Sequence, residues 1–302
     1  MVDASSGRAP PAAVFALMLN AFVWGVSWWP FRVLHERGLH PLWATALIYV
    51  VSLVLLLAVR PRAWRSFANE PLLWVLALAA GLTNVGFNWA VTVGDVVRVV
   101  LLFYLMPAWS VILAWPLLGE RPTSMSLVRL VLAMAGVIVV LKRPDVQWPV
   151  PESIADWLAI AGGFSFALTN ILLRKMKGVD APSRILAMFG GGAVSAAVAG
   201  LVALALGLIA APPAPSFGWV GVGIALSLGF LASNIALQYG ASRVNAHTGA
   251  LIMLSEVVFA SVSSVALGAA EMATRTWIGG AMILSAALWS AWSPAPAKAA
   301  AQ

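Results

Sequence analysis

The chain has 302 residues, 62% of them hydrophobic and 10% charged, and a mean hydropathy of +0.93. A soluble domain averages ~25% charged and ~45–50% apolar residues, so a water-soluble core is excluded and a multi-span membrane protein is implied. The net charge of +7 reads as membrane topology rather than nucleic-acid binding, and the lack of cysteine removes disulfides, thiolate catalysis and Cys-based zinc sites.

Residues 1–12 form a polar tail holding Pro10 and Pro11. The apolar run at 14–33 is too long for a signal-peptide core and shows no clear cleavage site, so it reads as a retained first span. Further spans are predicted near 42–59, 71–93, 97–118, 123–141, 156–174, 184–209, 217–239, 246–268 and 276–293. The fold class is therefore all-α, with about ten membrane helices. The longest polar connector, near Arg143–Asp156, carries Pro144, Pro149 and Pro151 and divides the chain almost in half. This gives a first five-helix unit at 13–143, a connecting loop at 144–155, a second unit at 156–293 and a tail at 294–302. With the N-terminus in the cytoplasm, Lys and Arg divide 12 against 6 in favour of the cytoplasmic side. Both termini are then predicted to be cytoplasmic.

An odd number of helices per half inverts one half relative to the other. The halves also echo each other. WGVSWWPFR (Trp24–Arg32) aligns with FALTNILLR (Phe166–Arg174), Pro41 with Ala181 or Pro182, NWAVTVG (Asn88–Gly94) with NIALQYG (Asn234–Gly240), and Glu120 with Glu271. Inverted repeats place a site at their interface near the midplane.

The fourth span, RVVLLFYLMPAWSVILAWPLLGE (Arg98–Glu120), carries two prolines. Pro107 deprives the Phe103 carbonyl of its helical donor, and Pro116 does the same to Ile112. The segment is either a kinked structural helix or the wall of a substrate path. Asn84, Asn88, Thr92 and Asp95 make a polar stripe on the third span. Asn234, Gln238, Ser242 and Asn245 form its counterpart, Asn20, Trp24, Ser27 and Phe31 share a face of the first span, and Phe166 and Asn170 share one on the sixth. Such residues serve as interhelical glue or as the lining of a shared wet cavity. Glu256 lies well inside the ninth span, in LIMLSEVVFA. A charge there costs ~2.5–3.5 kcal/mol on insertion scales, so it must face protein or water. It is a proton carrier, a partner for a substrate ammonium, or half of a structural pair with Arg98. Arg98 is itself within reach of Asp95 at i, i+3. Glu120 and Glu271 read as structural helix ends, with a gating role as the alternative, and His247 as a hydrogen-bonded structural residue. The three histidines are too scattered for a metal site, and no other cofactor is implied.

The WG of the first span, LFYLMPAWSVILAWPLLGERPT (Leu102–Thr123) and its echo LSEVVFASVSSVALGAAEMAT (Leu254–Thr274) resemble the drug/metabolite transporter (DMT) superfamily with paired EamA domains. Within it, the chain is most similar to the aromatic amino acid exporters called YddG. The resemblance implies ten helices in two inverted five-helix repeats, a bacterial inner-membrane location and ATP-independent export of amino acids, dyes or other metabolites. It places Trp24 and Tyr104 in the cavity. The family often has a proline after the ninth-helix glutamate. Val257 stands there instead, so a kink at that point does not carry over.

The sequence thus predicts a secondary exporter of small amphipathic metabolites. Trp24, Tyr104 and Phe166 would meet an aromatic ring, and Asn84, Asn88, Asn170, Asn234 and Glu256 the polar end, with Pro107 and Pro116 as kinks. A rival keeps the fold and changes the cargo to a nucleotide-sugar, cationic drug or polyamine. An intramembrane enzyme lacks a nucleophile with a nearby base. No G-x-x-x-x-G-K-[ST] loop is present, so neither ATP drive nor an ATPase subunit is expected. The expected partners are the small-molecule substrate and the lipid bilayer, and the oligomeric state is open.

Overall fold

The computed structural model describes residues 10–119, 121–142, 150–176, 178–241, 243, 249, 252–269 and 273–292. Among these every regular element is helical. The first span is α1 (Pro11–Val26) followed directly by α2 (Trp28–Glu36). Pro30 has no N–H for the Val26 carbonyl, and the helix steps at Ser27, whose hydroxyl donates to the Trp24 carbonyl at 2.8 Å. Next come α3 (Pro41–Val59), a short 3-10 turn (Ala63–Ala68) and α4 (Leu72–Val93). The fourth span is two helices, α5 (Val96–Phe103) and α6 (Met106–Leu118), and α7 (Ser124–Leu141) follows. The second half contains α8 (Ile154–Lys175), α9 (Ala181–Ala205), α10 (Phe217–Ala241), α11 (Ser255–Ala266) and α12 (Thr274–Trp292).

Polar caps stand where the helices leave the apolar layer. Asp95, Thr123 and Asp180 each accept from a first-turn amide, and Ser153 forms a reciprocal capping box with Asp156. Gly119 and Gly268 take positive φ of 72° and 66° just beyond α6 and α11.

Among the described residues seven helical segments are long and apolar enough to cross a bilayer, and Ser124–Val140 and Ser255–Ala266 are shorter apolar helices. The radial distribution is that of a multi-pass membrane protein. Trp74, Val131, Val194, Ile235 and Val262 point outward and are exposed, while Asn20, Thr45, Ser52, Asn84, Asn88, Thr169, Ser227, Ser233 and Ser264 are buried. Only a lipid surround favours apolar side chains outside and polar ones between helices.

The two halves interdigitate. Helix α4 lies against α8 and α9, α3 against α9 and α10, and α1 against α10 and α11. Both α5 and α6 pack on α8, α11 packs on α5, and α7 pairs with α12. At the α7–α12 crossing, a Cβ on Gly279 would sit 2.5 Å from the Gly136 carbonyl oxygen, so the two backbones touch.

Candidate functional site

Three interrupted spans meet near the centre. Helix α5 stops at Phe103, Tyr104 and Leu105 form a turn, and α6 begins at Met106. Pro107 therefore stands in the first turn of a new helix, where a missing N–H costs nothing, rather than inside a bent one. Pro116 lies inside α6 on its exposed side, three residues before the terminating Gly119. In the ninth span the break falls at Leu254 with no proline present. There Ser255 Oγ donates to the Ile252 carbonyl at 2.6 Å and the Val257 amide to Leu254 at 3.2 Å. The break thus forms without the proline that the family often carries where Val257 stands.

Glu256 thus lies in the first turn of α11, where the helix dipole favours an anion. Its near neighbour is Tyr104, whose hydroxyl points between Glu256 Oε2 (3.4 Å) and the Met253 carbonyl (3.3 Å). No described cation pairs with it. Arg98, the partner considered from sequence, instead makes a two-pronged ion pair with Asp156 (Nε–Oδ1 2.7 Å, a second nitrogen to Oδ2 3.0 Å) and donates to the Val140 carbonyl. Asp95 caps the Arg98 amide rather than its guanidinium. The ion pair ties the start of α5 to the start of α8, and so one half to the other.

Trp24 is partly buried and stacks on Phe230 with ring centroids 4.5 Å apart and 26° between planes. From there rings form a chain through both halves. Trp24 meets Phe87 edge-on at 6.1 Å, Phe87 meets Phe103 at 4.8 Å, and Phe103 meets Phe166 at 5.5 Å. On the other side Phe230 lies 6.1 Å from Tyr49, which lies 5.6 Å from Phe189. Gly25, beside Trp24, lets α1 pass against the Glu256 turn: a Cβ there would lie 2.8 Å from both the Glu256 carbonyl oxygen and Phe259 Cβ.

The polar residues divide into two groups. Asn84 accepts from the Tyr49 hydroxyl at 2.6 Å, Asn88 donates to Thr45 Oγ1 at 3.2 Å, and Asn20 donates to the Ser233 carbonyl and hydroxyl at 3.0 and 2.6 Å. These contacts glue helices together. Yet the side-chain oxygens of Asn20 and Asn88 are buried without a donor among the described residues. Asn234 is partly buried on α10, with interactions of its own. Asn170 lies on the exposed face of α8, apart from the cluster. Glu120, Glu271, His247, Ser242, Asn245 and the Gln238 side chain lie outside the described residues. A small cavity of about 10 Å³, room for one water, lies behind the break and is lined by Tyr104, Pro107, Ala108, Arg129 and Ile283 among others.

Sequence reasoning missed Tyr49, Phe87, Phe103 and Phe230. A signal existed for Tyr49: a mid-span phenol needs a partner for its hydroxyl, and Asn84 supplies it. The single phenylalanines give no such signal, because a ring in lipid and a ring in a core read alike.

Residues 11–142 match the EamA-like transporter family. The matched stretch runs from the first residue of α1 to the residue after α7. Curated proteins give no match. Fifteen chains of solved structure match, among them a crystal structure of a protein 17% identical, with a TM-score of 0.55 over 91% of this chain and 94% of that one. At that identity the likeness is one of fold, and it extends over both halves.

Proposed function

We propose that the chain is a DMT-type secondary transporter that exports small amphipathic metabolites, aromatic amino acids foremost, by alternating access at the Trp24–Tyr104–Glu256 cluster. The observation that carries this reading is the convergence of a five-helix aromatic chain on two interrupted spans joined by Tyr104 and Glu256. Broken helices at membrane depth are tolerated where they face protein or a wet path, and carrier sites are built from them. The ring of a substrate would replace Phe230 on Trp24. Its ammonium would be met by Glu256 and the undonated oxygens of Asn20 and Asn88.

The reading extends the EamA match to a second, inverted five-helix repeat. Contact pairs support it. The third span on the sixth mirrors the eighth on the first, the third on the seventh mirrors the eighth on the second, and the fourth on the sixth mirrors the ninth on the first. The lysine and arginine distribution supports cytoplasmic termini.

A second reading, a cationic drug or polyamine as cargo, is favoured by Glu256 lacking a described cationic partner. Uptake of labelled tryptophan by proteoliposomes, with and without an imposed pH gradient, tests the proposal. Saturable uptake, competed by unlabelled aromatic amino acids and lost in Trp24→Ala, is expected. No tryptophan uptake by folded, inserted protein, together with uptake of a labelled polyamine, would replace the first reading by the second.

A further inference from the structure

A second concavity lies away from this cluster and shares no lining residue with it. It is an apolar groove of about 590 Å³ between α3, the 3-10 turn, α4 and α9, lined by Leu53, Leu57, Trp64, Trp74, Gly190 and Val194 among others. The volume is that of a small-molecule site, ~300–1,000 Å³. Its wall is almost wholly apolar and its rim aromatic. Phe67 and Trp74 meet edge-to-face at 4.9 Å, and Trp64 and Trp74 are exposed, as tryptophan is at a bilayer's headgroup level.

We infer that this groove holds one acyl chain of an anionic glycerophospholipid, with the phosphate at Arg60 and Arg184. Three observations converge on that occupant. The first is length. From Arg184 to Ser195 α9 rises roughly 16 Å, about one leaflet's share of a ~30 Å hydrocarbon core. The second is register. Leu53 and Leu57 follow one stripe of α3, whose C-terminal end is capped by Arg60, and Arg184, Ala187, Gly191 and Ser195 follow one stripe of α9. Both stripes run from the apolar wall to an arginine at the same end of the bundle. The third is unspent charge. Arg60 is exposed, the Arg184 Nε is buried with no partner among the described residues, and Arg62 and Arg65 flank the same mouth.

The mouth is rigid. Ser183 Oγ donates to the Ala63 carbonyl at 2.7 Å and Ser66 Oγ to Asp180 Oδ1 at 2.8 Å, which pin the 3-10 turn to the start of α9. The groove floor is open at Gly190, where an added Cβ would meet only Leu53 Cδ1, at 4.0 Å. A larger side chain there fills the groove without moving a helix.

The test is native mass spectrometry of the delipidated full chain, titrated with phosphatidylglycerol and phosphatidylcholine of identical acyl chains. Wild type is expected to retain phosphatidylglycerol preferentially. Arg60→Gln and Arg184→Gln are each expected to weaken that retention roughly fivefold. Gly190→Leu, with unchanged helicity and melting midpoint, is expected to lose the bound lipid altogether. Equal retention of both lipids by wild type overturns the phosphate assignment. Undiminished retention in Gly190→Leu overturns the groove assignment. A change in oligomeric mass in place of lipid loss makes the groove a subunit interface and overturns the proposal.

Discussion

Glu256 and His40 show how single residues at helix starts take their roles from geometry. Glu256 faces Tyr104 across a break that separates it from the body of its span. In Glu256→Gln the amide keeps the shape but no longer exchanges a proton at working pH. If Glu256 carries protons, the variant transports at a rate independent of an imposed pH gradient. If it pairs with a substrate ammonium, transport falls by about tenfold or more at every pH, the scale of one hydrogen bond to a charged group. His40 caps α3, its Nδ1 accepting from the Leu42 amide at 3.3 Å. Burial, and then the nearby His35, hold its imidazole below the ordinary value. The folded state therefore binds this proton less readily than the unfolded chain, whose histidine titrates near ~6.5. The cap's contribution is full above that pH and is lost as pH falls through the folded value. Acidifying the wild type below pH ~6.5 is expected to lower its melting midpoint in detergent. His40→Asn caps without titrating, and its curve should be flatter over the same range.

At the scale of elements, the breaks in the first, fourth and ninth spans have different causes. Pro30 removes a donor in the first, and Pro107 starts a new helix in the fourth. In the ninth, Ser255 turns its hydroxyl back to Ile252 while Gly25 of α1 presses on the same turn. Gly25→Ala tests that contact. A methyl placed 2.8 Å from the Glu256 carbonyl oxygen must push α1 from α11. Overpacking of this kind costs ~1–3 kcal/mol. A lower melting midpoint and impaired transport are expected together. A stable variant with normal transport would show that the α1–α11 contact is not part of the site. The proline in the fourth span was legible as a disturbance of the helix. Its placement in a first turn was not, because the same residue fits a kink or a start, and only the Tyr104–Leu105 turn decides.

For the whole molecule, orientation in the membrane sets the direction of transport. The chain has no cysteine, so single-cysteine labelling has no background. Asn69, in the connector after α3, and Ser216, before α10, are both exposed. With cytoplasmic termini, Asn69→Cys is expected to react with a membrane-impermeant maleimide only from the cytoplasmic side, and Ser216→Cys only from the opposite one. The reverse pattern would invert the topology, and with it the direction assigned to export. Arg98 with Asp156 and Ser66 with Asp180 link the halves at the two ends of the bundle. Motion of one half against the other must therefore work against polar contacts at both ends.

The sequence by itself determined the membrane class and the approximate bounds of nearly every span. Those properties rest on local chemistry: apolar run length, capping side chains, proline and glycine. It also marked Trp24, on a polar face, and Glu256, because a carboxyl in mid-span needs a reason, while Tyr104 was marked only by the family resemblance. Partnership was decided only by tertiary structure. Asn170 and Asn84 read alike along the chain, yet the first is exposed and the second bonds Tyr49. Arg98 had carboxylates at 95, 156 and 256 to choose from, and packing gave its guanidinium Asp156. In lipid, helices are apolar on every side, so the periodicity that orients a helix in water says little about which face meets which neighbour. Small residues at crossings and a few hydrogen bonds make that choice, and they act across the bundle rather than along the chain.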